Sequence, residues 1–152
     1  MINIKQELEV AKKASEAASA LLKDNRDNIN VVLSNEGRDI KLKADLESEN
    51  VIKEYLLANS NFPILAEESG ANQVLGESFW VVDPLDGSSN YSRDFPMYCI
   101  SIALIYKGEI TLGVINDFNR DSLYEGSIES KAKLNGDEIF VSSIHDKSRA
   151  TL

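Results

Sequence analysis

The sequence predicts an α+β fold in which two amino-terminal helices pack on one face of a largely antiparallel sheet, and two observations carry that expectation. Residues 3–27 and 45–57 place apolar side chains at helical spacing, and after Pro96 the pattern changes to short β-rich runs separated by turn residues.

Taken in order, residues 3–27 repeat Ile4, Leu8, Ala11, Ala14, Ala18 and Leu21 on one face while lysine and glutamate fill the other, the pattern of a long amphipathic helix. Residues 30–34 (NVVLS) and 39–43 (DIKLK) are short and β-rich, and the NEG triplet between them ends at Gly37, which suggests a hairpin or a mobile loop. Residues 45–57 read as the second helix, with Leu46, Val51, Ile52 and Leu56 turned inward, and Pro63 blocks its extension past Phe62. Residues 64–66 and 79–82 (FWVV) are apolar runs that read as buried strands; the first delivers Glu67 and Glu68, the second Asp83. Strands are then expected at 98–106, 110–115, 122–125 and 139–142, with turns at Lys107-Gly108 and Asn135-Gly136. No repeat, low-complexity segment or linker divides the chain, so residues 1–152 are read as one domain.

Composition narrows the function. With 43% hydrophobic and 27% charged residues the chain has the make-up of a soluble globular protein. Its longest apolar stretch, residues 97–106, is about half of the roughly 20 residues that a spanning helix needs, and Met1 onward shows no signal peptide, so a cytoplasmic protein is expected. The formal charge of −9 opposes nucleic acid and membrane surfaces as partners and invites a cation. Cys99, the one cysteine, cannot form an internal disulfide and is expected to be a buried, inert thiol. His145, the one histidine, lies among polar residues near the carboxyl end, which argues against a histidine and cysteine zinc site.

The chemistry is concentrated in AEESG at residues 66–70 and VVDPLDGSSNY at residues 81–91. Uncompensated carboxylates at buried strand ends lose several kcal/mol of solvation, and neither segment contains a lysine or arginine. A hard divalent cation such as Mg2+ suits carboxylate and carbonyl oxygens, and the proline-stiffened D-P-L-D spacing lets Asp83, Asp86 and the Leu85 carbonyl converge, with Glu67 closing the shell. D-P-x-D-G is also an ordinary turn sequence; the glutamate pair upstream and Asp45 beyond it favour the metal reading. Gly87 and Ser88 are expected to open a short helix whose free N–H groups suit a phosphate oxygen.

The ordered set Asp45, Glu67-Glu68 and Asp83-Pro84-Leu85-Asp86-Gly87-Ser88 resembles the lithium-sensitive, Mg2+-dependent phosphatase motif of the inositol monophosphatase superfamily. The resemblance runs from the first helix and KADLESE (residues 43–49) through residues 95–117 to LNGDEIFVSS (residues 134–143). Residues 89–102, with Asn90-Tyr91 and Phe95-Pro96, are more similar to the inositol monophosphatase branch than to the bisphosphate nucleotidase branch.

That resemblance implies the sugar-phosphatase fold and a set of roles. Glu67, Asp83 and the Leu85 carbonyl would hold one Mg2+, Asp83 with Asp86 would bridge toward a second, and Glu67 would face a further, weaker position. Glu68 would support this set from behind. Asp45 and Ser88, the latter where the family usually has threonine, would orient and deprotonate the attacking water, with Glu67 also catalytic, while Asp86, Gly87 and Ser88 would meet the substrate phosphate.

The resemblance also implies a small phosphorylated metabolite as substrate, of the inositol monophosphate type, with fructose 1,6-bisphosphate or a 3′(2′),5′-bisphosphate nucleotide as alternatives; an apolar sheet edge or face left uncovered by the missing second half is expected to favour pairing with another copy, a homodimer. A regulatory protein that binds the transcription machinery is the reading from another class. The family's W-D-x-x-x-G-like segment is missing and Trp80 is the single tryptophan, so the chain is expected to be an amino-terminal portion, second half missing, and nearly inactive alone. Ser34 stands where inositol monophosphatases often carry a lysine in the hairpin, with Lys41 and Lys43 nearby.

Overall fold

The computed structural model describes residues 2–36, 39–144 and 146; Gly37, His145 and Leu152 lie outside the described residues. Helix α1 (Ile4–Asp24) starts at Asn3, whose side chain accepts the Gln6 N–H, and it buries Leu8, Ala11, Ala14 and Ala18 as the spacing requires. Its last inward residue is Leu22, not Leu21, and the anticipated helix breaks at Asn25 into a short α2 (Arg26–Ile29).

The hairpin forms: β1 (Val32–Glu36) pairs antiparallel with β2 (Asp39–Leu42). Helix α3 (Lys43–Asn59) follows at once. Its buried face is Ala44, Asp45, Ser48, Glu49, Ile52 and Leu56, at helical spacing, so Leu46 lies off the face assigned to it. Strands β3 (Ile64–Ala66) and β4 (Gly70–Ala71) precede β5 (Phe79–Asp86), which runs four residues beyond the expected end at Val82 and carries the whole D-P-L-D segment. After α4 (Ser88–Ser92) come β6 (Cys99–Tyr106), β7 (Glu109–Asp117), β8 (Ser122–Ser127), β9 (Ser130–Leu134) and β10 (Asp137–Glu138).

The expected strand at 139–142 is absent, and β9 was not anticipated. Asn135 and Gly136 both take positive φ (51° and 90°), the conformation of a tight hairpin turn, and this pairs Asp137 with Leu134 rather than starting an independent strand. The order of the main sheet is β10-β9-β8-β7-β6-β5-β3-β4, and every pairing in it is antiparallel except β3 with β5. That is the architecture expected, helices against a largely antiparallel sheet.

One face of the sheet is closed by helices: α1 packs on α3 and on β6, β7 and β8, and α3 packs on β5. Strand alternation sends Trp80, Val82, Ile100, Ile102, Leu104, Leu112 and Val114 to that side, where each is at most 2% exposed. Trp80 is anchored as well as buried, since its indole N–H donates to Ser60 Oγ at 3.0 Å. The opposite face is open. Ala103, Gly113 and Gly126 stand side by side across β6, β7 and β8 on the floor of a trough of about 620 Å3, flanked by Ile110, Ile115 and Ile128. Among the described residues no helix is long and apolar enough to cross a membrane.

Candidate active site

The one parallel pair in the sheet builds the site. Ile64, Leu65 and Ala66 align with Trp80, Val81 and Val82, and the Glu67 N–H extends the ladder to the Val82 carbonyl at 3.1 Å. Both chains therefore reach the same end of the sheet in register, which sets Glu67 beside Asp83.

A bulge then aligns the second aspartate. Asp83 faces Ser101 and Asp86 faces Cys99, so three steps along β5 match two along β6; Pro84, which has no N–H for the ladder, lies inside the bulge. Without the extra residue Asp83 and Asp86 would point to opposite faces. With it they share the open face with Cys99 and Ser101. The Leu85 N–H donates to Asp83 Oδ1 at 3.2 Å and closes the turn.

From the helix side, α3 reaches over the strand end. Asp45 is 2% exposed; its Oδ2 accepts the Leu42 N–H at 2.6 Å, the half of a capping box that a leucine cap permits. Its Oδ1 accepts the Ser88 hydroxyl at 2.6 Å, and Ser88 Oγ also lies 3.0 Å from the Leu85 carbonyl. The hydroxyl has one proton, and the shorter contact to a carboxylate takes it, so the Leu85 carbonyl keeps its lone pairs available.

Gly87 makes the turn into α4 at φ 93°, and a Cβ there would sit 2.7 Å from the Met97 carbonyl oxygen, so glycine is required on both counts. The Ser88 and Ser89 N–H groups find no acceptor among the described residues, as expected at the start of a helix. Tyr91 holds α4 in place, its hydroxyl donating to the Leu22 carbonyl at 2.8 Å.

The electrostatics follow from crowding. Glu67 is hydrogen-bonded to Asp83, and partial burial of its carboxyl followed by the charge of Asp83 push it up to about 7; since the residue as a whole stays exposed, Asp83 is the decisive neighbour. Burial raises Asp83 too, with Asp86 adding to it and the bond from Glu67 opposing. Burial also raises Asp45 against the opposing bonds from Ser88 and Leu42. Among the described residues, none of Asp45, Glu67, Asp83 and Asp86 makes an ion pair with a basic side chain. Two touching carboxylates without a basic partner, beside a free carbonyl, form a hard-oxygen donor set that fits a divalent cation.

The convergence is narrower than the sequence suggested. Among the described residues no three His, Cys, Asp or Glu side chains form a group able to hold an ion; Glu67 and Asp83 touch, and Asp86 stands exposed, its Oδ2 3.9 Å from Cys99 Sγ. Cys99 is half-buried rather than buried, because it occupies an open-face position of β6. Burial and then the Asp86 charge push its thiol up to about 11, so it stays protonated and inert.

Glu68 is not left unneutralised. It pairs with Lys41 of β2, a strand remote from its own segment. Ser34 is the direct cross-strand partner of Lys41, so the hairpin presents an ammonium on the face where a lysine at position 34 would present one. Two residues that the sequence reading missed hold the site from behind: Ser48 donates to the Pro84 carbonyl at 2.8 Å, and the Glu49 carboxylate accepts the Glu68 N–H at 2.8 Å. Both lie one turn beyond Asp45, on the same helix face, and that spacing was the available signal.

The inositol monophosphatase family model matches residues 3–152. The chain belongs to that family. It is 40% identical over 139 residues to a Nus factor SuhB of Xylella fastidiosa, covering 90% of this chain and 50% of that protein. It is 36% identical over 147 residues to a fructose-1,6-bisphosphatase/inositol-1-monophosphatase of Aquifex aeolicus, covering 93% and 54%. The inositol monophosphatase structure from Anabaena superposes with a TM-score of 0.80 at 34% identity, covering 94% of this chain and 52% of that one. The chain thus spans about half the length of the relatives it matches. The inositol monophosphatase fold is its fold.

Proposed function

We propose that the protein built on this chain is a Mg2+-dependent phosphomonoesterase acting on a small phosphorylated metabolite of the inositol monophosphate type. One observation carries the reading: the unneutralised Glu67–Asp83 carboxylate pair lies at the end of the strand that also delivers Ser88 onto Asp45. Glu67, Asp83 and the Leu85 carbonyl would hold the cation, with Asp86 toward a second. When bound, Mg2+ supplies charge neutralisation of the phosphate oxygens and acidification of water.

The chain's own groups do the rest. Ser88 Oγ, with its proton donated to Asp45, offers a lone pair to an attacking water; as the water's oxygen bonds to phosphorus, its proton passes to Ser88 Oγ and the Ser88 proton to Asp45 Oδ1, while the ester P–O bond opposite breaks and the departing alkoxide takes a proton from a solvent water to leave as the alcohol. Burial raises the affinity of Asp45 for that proton. The Ser88 and Ser89 N–H groups, together with Gly87, orient the phosphate. Glu68 and Lys41 stay paired beside the site.

The test is phosphate release from inositol 1-phosphate, fructose 1,6-bisphosphate and a 3′(2′),5′-bisphosphate nucleotide, by a polypeptide of the relatives' length that includes this chain. Mg2+-dependent release, highest with the inositol ester and lost in Asp83→Asn, is expected; release that ignores Mg2+ or survives the substitution refutes it. Solution mass of the same polypeptide reads out the proposed homodimer. The Xylella relative, a Nus factor by name, supports a second reading as an interaction protein. Capture of a partner by the inactive Asp83→Asn protein, with no phosphate release by the unaltered one, would favour it.

A further inference from the structure

Helix α3 touches every segment of the site through one face. Asp45 binds Ser88, Ser48 binds the Pro84 carbonyl, and Glu49 binds the Glu68 N–H. Glu49 is 2% exposed, and its second oxygen lies 3.5 Å from Lys53 Nζ, one turn along the helix. Lys53 in turn donates to Ser69 Oγ at 2.7 Å. The turn that presents Glu67 is therefore fixed on both sides: by the Val82 carbonyl at Glu67 itself, and by α3 at the next two residues.

A buried glutamate is an unusual choice for holding a backbone N–H. Its burial costs solvation that the pairing with Lys53 offsets, and a neutral serine or asparagine would avoid that cost but has a shorter side chain. What glutamate supplies is reach. Its two side-chain methylenes carry the oxygen from the helix to the strand end while Ser48, the preceding residue, fixes the neighbouring strand at Pro84.

We propose that Glu49 is a positioning residue that sets the spacing of Glu67 from Asp83, and so the affinity of that pair for a divalent cation, without touching the cation. The proposal rests on the metal-site reading above. Groups that hold the supports of ligands, rather than the metal, typically change affinity by about 10- to 100-fold when lost.

Two substitutions in the full chain separate reach from charge. Glu49→Asp keeps the carboxylate and withdraws it by one methylene; Glu49→Gln keeps the reach and an acceptor oxygen and removes the charge. Mn2+ binding, followed by electron paramagnetic resonance, is the readout, with thermal midpoints measured alongside. The expected result is a Mn2+ affinity at least about 10-fold weaker in Glu49→Asp, and within about 3-fold of the unaltered chain in Glu49→Gln. The reverse order would show that Glu49 acts by its charge and would overturn the proposal. Unchanged affinity in Glu49→Asp, whatever its thermal midpoint, would reduce Glu49 to a structural residue and overturn it as well. No Mn2+ binding by the unaltered chain would remove the metal-site reading itself, and this inference with it.

Discussion

The two faces of the main sheet are made by the same strands and differ in almost everything else. On the helix side, alternate residues of β5, β6 and β7 place Trp80, Ile102 and Val114 in a closed apolar core. On the other, the intervening residues are small, Ala103, Gly113 and Gly126, and the bulky ones beside them remain exposed, Ile115 at 46% and Ile110 at 72%. The chain draws its stability from one face and sets its carboxylates at the end of the other, with α3 joining the two by way of Asp45, Ser48 and Glu49.

Substitution on each face is the bluntest way to break that contrast. Trp80→Ala removes a fully buried indole and its bond to Ser60, and should destabilise the chain by about 3–5 kcal/mol in urea unfolding. Ile115→Ala, on the next strand but one and facing away, should shift stability by no more than about 0.5 kcal/mol. Equal effects would mean that the open face is covered in solution.

At the junction of the faces the effect should fall on rate. Ser88→Ala removes the hydroxyl held by Asp45, and turnover of the relatives'-length protein should drop by about 10²-fold or more, the usual contribution of a positioned proton acceptor. Mg2+ affinity should stay put, because the Ser88 hydroxyl is not among the ligands assigned. A parallel loss of metal binding would sharpen the picture differently, placing Ser88 on the cation.

A smaller effect is expected from pH. In the folded chain Glu67 is raised from 4.5 to about 7, so its protonated form is favoured by folding. The corresponding stability is full below about pH 4.5 and is lost as pH rises toward 7, where like charges face each other without a cation. Thermal midpoints of the metal-free chain should fall across that window, less so in Glu67→Gln, and Mg2+ should raise them more at the upper end than at the lower.

Much of this organisation was legible in the sequence because it is local. The helical spacing of α1, the Lys107-Gly108 and Asn135-Gly136 turns and the D-P-L-D segment each depend on neighbours in the chain. What was not legible depends on distant pairing. The parallel alignment of β3 with β5, which sets Glu67 beside Asp83, joins segments that nothing local connects. Strand β9 (SKAKL) is mostly exposed and lacks the apolar alternation that marks a strand. Ser48 and Glu49 are polar and were given no role, although their i+3 and i+4 spacing from Asp45 put them on its buried side. Asp86 was read as converging with Glu67 and Asp83; its charge does act on both, but among the described residues no three such side chains close on one point, since spacing reveals a shared face and not a final separation.

The central claim is that Glu67 and Asp83 together hold a divalent cation, and Mg2+ titration calorimetry of this chain at pH 6.5, in two buffers of different protonation enthalpy, tests it most directly. With Glu67 pushed up to about 7 beside Asp83, the cation should compete with a proton on the pair, so binding should release on the order of one proton, and both the binding and the release should vanish in Asp83→Asn. Binding without proton release, or binding as tight in Asp83→Asn as in the unaltered chain, would contradict it.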